Sequence, residues 1–203
     1  MSRPRRPQDW ERDLAAARAA EAALAEKLRA DPRLEGFADH TSAFDRLDFS
    51  FVYSGLPVQV DIKEKIRPTS RGLATLWPEV PPQHLFVLDE TVYRRIVWHG
   101  GGGYLVVHDH PGSRWAIFGP WELTLGPRTR YRRYGQTETS SFFKGKILLD
   151  LRAAARSASD FSVDELLAVI EASWAQRDAV DAVAGDALPS LGAPGKEGAG
   201  GNQ

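Results

Sequence analysis

Apolar and polar residues recur along residues 10–30 with helical spacing. Leu14, Ala17, Glu21, Leu24 and Leu28 lie three or four positions apart, in a segment rich in Ala, Leu, Glu and Arg. These residues favour a helix, and the spacing gives it one apolar face with a carboxylate, Glu21, in the middle. Asp31-Pro32 ends it, because proline disfavours helical backbone in the residue before it. The period then changes to two. Over 48–53, Phe49, Phe51 and Tyr53 alternate with Asp48, Ser50 and Val52. Over 58–63, Val58, Val60 and Ile62 alternate with Gln59, Asp61 and Lys63. Ser54-Gly55 supplies a turn between the two runs, so together they predict a β-hairpin.

Residues 67–83 hold four of the 13 prolines and read as an irregular loop. Residues 89–99 have a helical pattern, capped near Asp89 or Thr91 and stopped by the glycines of 100–103. Apolar runs at 104–108 and 115–118, across a Pro111-Gly112 turn, and at 147–151 predict three strands. A short strand is expected near Phe37. Ser162 and Glu165 form a capping-box pattern opening a helix over 162–176. The order is helix, hairpin, loop, helix, strands, helix, which predicts a mixed α/β (α+β) domain built on a central mixed sheet.

Composition narrows the picture. Residues 1–9 form a basic extension, residues 10–182 fit one domain, and residues 183–203 are Gly, Ala, Pro and polar residues, a composition expected of a disordered tail. Without cysteine, disulfides and thiolate-bound zinc are excluded. No apolar run suggests a signal peptide or a membrane span, so a cytoplasmic protein is expected. The net charge of −1 does not point to nucleic acid, but its distribution does. Arg128, Arg130, Arg132, Arg133, Lys144 and Lys146 cluster among Tyr131, Tyr134, Phe142 and Phe143. Cations held near aromatic rings suit phosphates and stacked bases, whatever the total charge.

Asp61 and Lys63 are two apart on one strand and therefore share a face. If the chain turns at Gly55, Asp48 comes to the same end of the sheet. Two converging carboxylates can hold a divalent cation through oxygen, and a nearby ammonium can orient a water or offset phosphate charge. Glu21, on an apolar stripe, would be costly to bury without a cation.

Glu21 on the first helix, Asp48 opening one strand and Asp61-Ile62-Lys63 on the next resemble the pattern of the PD-(D/E)XK nuclease superfamily. The match covers the first half of the chain. The resemblance implies a restriction-endonuclease-like core of helix, three strands, helix and strand, here with additional C-terminal strands and a helix. It implies Mg²⁺-dependent cleavage of DNA, with Mn²⁺ able to substitute, by an endonuclease rather than an exonuclease. Asp48, Asp61 and Glu21 would hold the metal and Lys63 would assist the attacking water. The partners implied are DNA and, since two strands need two sites, a second copy in a homodimer.

Other readings stand beside this one. Leu47, not proline, precedes Asp48, and Asp45 competes with Asp48 as the ligand. Glu64 and Lys65 repeat the acidic and basic pair. The set could be a solvated hairpin face with a cross-strand ion pair, or belong to a module that kept the fold and binds without cleaving. His108 and His110 alternate on one strand, six positions after Gly102, as in the first cupin metal motif. The glutamate expected after them is absent, and a strand end and turn is the simpler expectation.

Overall fold

The computed structural model describes residues 7–43, 45–98, 102–136 and 141–187. Helix α1 (Pro7–Ala30) leads into a meander of three strands, β1 (Glu35–Asp39), β2 (Phe49–Tyr53) and β3 (Leu56–Lys65). Gly55, with φ of 76°, and Ser54, with φ of 48°, make the tight β2–β3 turn. The positive φ angles suit a two-residue hairpin turn. The pairing runs from Tyr53 opposite Leu56 to Phe49 opposite Val60.

After a short helix, α2 (Arg71–Ala74), the chain forms β4 (Leu85–Asp89) and α3 (Glu90–Trp98). It then returns as β5 (Gly103–Asp109), parallel to β3, with Asp61 beside Leu105 and Lys63 beside Val107. Gly103 lies against α3. A Cβ there would stand 2.3 Å from the Ile96 carbonyl oxygen, so only glycine lets the strand begin so close to the helix. Strand β6 (Arg114–Phe118) pairs antiparallel with β5, and β9 (Arg156–Ala158) closes the edge. The central sheet has the order β1-β2-β3-β5-β6-β9. Between these strands the chain builds helix α4 (Pro120–Leu125) and the long strands β7 (Arg128–Gln136) and β8 (Ser141–Asp150). These form a second sheet in the order β4-β8-β7. Helix α5 (Val163–Ala187) ends the described chain.

Strand alternation gives the central sheet two buried faces. On one, Phe49, Phe51, Val58, Val60, Ile62, Tyr104 and Val106 pack against Ala20, Leu24 and Leu28 of α1 and Leu166, Leu167 and Ile170 of α5. On the other, Leu105, Val107, Ala116 and Phe118 pack against Ile96 of α3, Leu123 of α4, and Phe86, Leu88, Ile147 and Leu149 of the second sheet. Asp61 and Lys63 belong to this second face, because they lie beside Leu105 and Val107.

Several expectations shift. The 67–83 loop contains α2, and the helix expected at 89–99 is preceded by β4, whose Leu-Phe-Val-Leu run is too short to tell from a helix start. Residues 99–101 of its glycine stop lie outside the described residues. The basic 128–136 segment is a strand. Ser162 accepts a hydrogen bond from the Asp164 amide, 3.2 Å, but Glu165 turns to Arg156, 3.3 Å, instead of completing a capping box. Helix α5 runs on to Ala187, past the expected end at 176. The rest of the expected tail, 188–203, and residues 1–6 of the basic extension lie outside the described residues. On α1 the apolar stripe is buried only from Ala20 onward, and Leu14 is 40% exposed. Among the described residues, no helix is long and apolar enough to cross a membrane.

Candidate active site

Asp48 immediately precedes β2, and extending the hairpin register by one position sets it opposite Asp61. Its side chain turns into the sheet. Asp48 Oδ2 accepts from the Ile62 amide at 2.9 Å and from Lys63 Nζ at 3.2 Å. Lys63 Nζ lies 2.7 Å from Asp61 Oδ2 and donates to the Ile62 carbonyl at 2.8 Å. One ammonium thus ties together two carboxylates from neighbouring strands. Asp45 is exposed, so of the two candidate aspartates Asp48 is the one that reaches this cluster.

The cluster is graded in depth. The Asp61 side chain is 3% exposed, Asp48 14% and Lys63 31%. Asp61 Oδ2, although ion-paired, makes no directed hydrogen bond. Burial, with Asp48 beside it and against the pull of Lys63, pushes the Asp61 carboxyl up to about 7. Burial pulls the Lys63 ammonium down, but Asp61 and Asp48 outweigh it and leave its pKa raised. Glu21 is half-buried on α1, and its pKa is raised by burial first and by the charge of Asp48 next. Lys63 opposes that shift and Asp39 adds to it. Asp48 and Lys63 therefore act on Glu21 through their charge, but α1 packs on the other face of the sheet from Asp61, so the structure brings Asp48, Asp61 and Lys63 together and leaves Glu21 beside them.

Fit to a divalent cation can be judged from the donors. Asp48 and Asp61 offer oxygen donors of the kind a hard ion such as Mg²⁺ takes, but Glu21 does not converge with them: among the described residues only Glu64, His108 and His110 bring three ligand atoms within 4.8 Å of one another. Asp61 Oδ2, approached by the Lys63 ammonium alone, is the oxygen such an ion would take up; Asp109 Oδ1 likewise makes no directed hydrogen bond, but two cations enclose that carboxylate.

The six basic residues are divided by strand alternation. Arg128, Arg130 and Arg132 occupy alternate positions of β7, beside Leu149, Ile147 and Gly145 of β8. Lys144 and Lys146 take the intervening positions, on the opposite face. Arg128 donates to the Thr124 carbonyl at 2.6 Å and lies over the Tyr93 ring. Arg130 pairs with Glu90 at 2.7 Å, and Lys146 pairs with Asp89. Arg132 and Lys144 are exposed toward the hairpin's outer end, and the side chain of Arg133 lies outside the described residues.

Two further polar groups lie outside the set expected to carry cleavage; one contains His108 and His110, whose cupin-like spacing suggests a metal but whose simpler expectation is a strand end and turn. On the face of Asp61, Asp109 is fully buried between Lys65 Nζ and Arg114 Nε, each at 3.1 Å, and Arg114 reaches His84 Nδ1 at 2.9 Å. On the opposite face, Glu64 lies beside His108 and within reach of His110. Both groups arise from the parallel pairing of β3 with β5, which joins residues 44 positions apart. The repeated Glu64-Lys65 pair and the alternation of His108 with His110 are their local signals; the strand pairing that joins them is not local. In comparisons with known proteins, no family model matches the chain, nor does any curated protein or solved structure.

Proposed function

We propose that the protein is a Mg²⁺-dependent nuclease of the restriction-endonuclease-like type, hydrolysing phosphodiester bonds in DNA. The observation that carries this reading is the bridging of Asp48 and Asp61 by Lys63 at the end of a buried hairpin, with Asp61 Oδ2 left undirected. A solvated surface ion pair would leave its carboxylates in water. Here Asp61 is almost wholly buried, a cost that a bound cation would offset. Apart from α2 and β4, which intervene between β3 and α3, the order of helix, three antiparallel strands, helix and a strand parallel to the third is the one expected of such a nuclease core and supports the reading.

Asp48 and Asp61 would hold the ion, while Glu21 on α1 acts on the site through its charge and not as a ligand. When bound, Mg²⁺ supplies Lewis-acid stabilisation of the phosphate and lowers the pKa of a coordinated water. The chain's own residues do the rest. The Ile62 amide fixes Asp48 Oδ2, so this carboxylate is oriented before any ligand arrives. Lys63 keeps both carboxylates together and presents a partly exposed ammonium where a phosphate oxygen would lie, offsetting its growing charge. Arg132 and Lys144 would contact the backbone of the nucleic acid beyond the site.

Purified protein with Mg²⁺ or Mn²⁺ is expected to nick or cut DNA, and Asp61→Asn or Lys63→Met to abolish this while the fold is kept. If the protein cleaves no single-stranded, double-stranded or branched substrate with either ion, the reading fails, and a binding module with the same fold takes its place.

A further inference from the structure

We propose that Glu64, His108 and His110 form a separate site for a late first-row transition ion such as Zn²⁺, on the opposite face of the central sheet from Asp61 and Lys63. The parallel register sets Glu64 on β3 beside His108 on β5, and His110 follows at the end of that strand. Each oxygen of Glu64 faces a different ring. Oε1 lies 3.0 Å from His108 Nδ1, and Oε2 is in close contact with His110 Nε2. One ligand atom from each of the three residues can be chosen so that all lie within 4.8 Å of one another. Ligands of a tetrahedral zinc stand roughly 3.4 Å apart at ordinary bond lengths, so only small side-chain movements are needed.

The surroundings hold these groups in place. The His108 ring stacks on Trp115 at 4.0 Å with the planes 2° apart, and on its other side meets His110 at 3.9 Å. The His110 amide donates to the Lys65 carbonyl at 3.0 Å, which ties the start of the β5–β6 turn to the end of β3. The Glu64 carboxylate is 5% exposed, whereas His110 is 40% exposed. The lysines on either side of Glu64 are committed on the other face, Lys63 to Asp48 and Asp61, and Lys65 to Asp109. Two imidazoles and one carboxylate favour zinc, copper or nickel over magnesium, which prefers oxygen alone. Three protein ligands with an open side toward His110 leave a fourth position for water.

The test uses full-length protein without a histidine tag, stripped of metal and then freed of chelator. Zn²⁺ is titrated against a chromophoric competitor, and Co²⁺ binding is followed by its visible absorption. One equivalent of Zn²⁺ should bind, survive millimolar Mg²⁺ and give a tetrahedral or five-coordinate Co²⁺ spectrum. His110→Ala, at an exposed position, and Glu64→Gln should each weaken Zn²⁺ binding at least about tenfold, with circular dichroism confirming the fold. Asp61→Asn should leave it unchanged, which separates this site from the proposed nuclease centre. Absence of stoichiometric Zn²⁺ binding would overturn the proposal. So would binding that persists unchanged in both His110→Ala and Glu64→Gln, or that is lost in Asp61→Asn.

Discussion

Asp61→Asn is expected to stabilise the metal-free protein even as it removes cleavage. In the folded chain this carboxyl is buried and faces Asp48, and its pKa rises from an ordinary 3.8 to about 7. The unfolded chain gives up the proton near pH 4, while the folded chain keeps it until about pH 7. Between those values the folded state holds more protons, so its stability falls as pH rises and then levels off above pH 7. A displacement of that size sets a ceiling of roughly 4 kcal/mol. Local relaxation and water reaching the partly exposed Lys63 reduce it, and we expect about 1–3 kcal/mol at pH 8. Asparagine nearly matches the protonated carboxyl in shape, and Lys63 keeps its Asp48 partner. The assay is urea unfolding in EDTA, followed by tryptophan fluorescence at several pH values. A gain of that size moves the midpoint upward by about 0.5–1 M urea. The excess stability of the variant should grow from pH 4 to pH 7 and then remain constant. A difference that is flat with pH, or of opposite sign, would refute the assignment of Asp61 as a buried acid whose charge Lys63 only partly offsets.

Asp109 provides the internal control, since it is equally buried on the next strand but sits between two cations. Asp109→Asn should have the opposite effect. It leaves the Lys65 ammonium, 4% exposed, without its carboxylate, and loss of one partner from a buried pair costs about 3–5 kcal/mol. The same unfolding assay at pH 8 should therefore separate the two aspartates by the sign of the effect. Adding Mg²⁺ should raise the stability of wild type by about 3 kcal/mol at a hundredfold excess over its dissociation constant, and leave Asp61→Asn almost unmoved.

Three other outcomes are expected. Lys63→Met should abolish DNA cleavage yet preserve the Mg²⁺-induced rise in Tm, because both carboxylates remain; loss of the Tm response would show that the lysine builds the ion site rather than serving the phosphate. Gly103→Ala should lower stability by about 2–3 kcal/mol, because the new Cβ meets the backbone oxygen of Ile96 at 2.3 Å, and an unchanged Tm would mean that α3 and β5 can separate freely. Arg132→Ala with Lys144→Ala should weaken DNA binding about equally for all sequences and flatten its salt dependence by about one charge per lost contact, read by titration at several salt concentrations.

The hairpin carrying Asp48, Asp61 and Lys63 was legible because its information is local. Period-two alternation fixes which side chains share a face, and Ser54-Gly55 fixes the register. Helix α1 was legible in type but not in depth. Its spacing continues to Leu14, whereas the sheet beneath it supports only the part from Ala20 onward, which no helical pattern can report. Strand β7 was hidden for a different reason. Its alternation sets arginine against threonine and tyrosine, and without an apolar face it looked like a charged patch instead of a strand.

The deepest loss of information is at the β3–β5 junction. Asp61-Ile62-Lys63-Glu64-Lys65 alternates polar and apolar residues only as far as Ile62, after which three charged residues follow in succession. Sequence alone makes such a run a solvated strand end. Parallel pairing with β5 gives each of the three a counterpart: Lys63 beside buried Val107, Glu64 beside partly buried His108, Lys65 beside buried Asp109. The strand continues because its partner supplies polar counterparts, the Asp109 carboxylate for Lys65 and two imidazoles beside Glu64. Alternation then sends Asp61, Lys63 and Lys65 to one face and Glu64 to the other. A single polar segment can thus carry two chemically different centres, one of oxygen donors and one of imidazoles, separated by the thickness of the sheet.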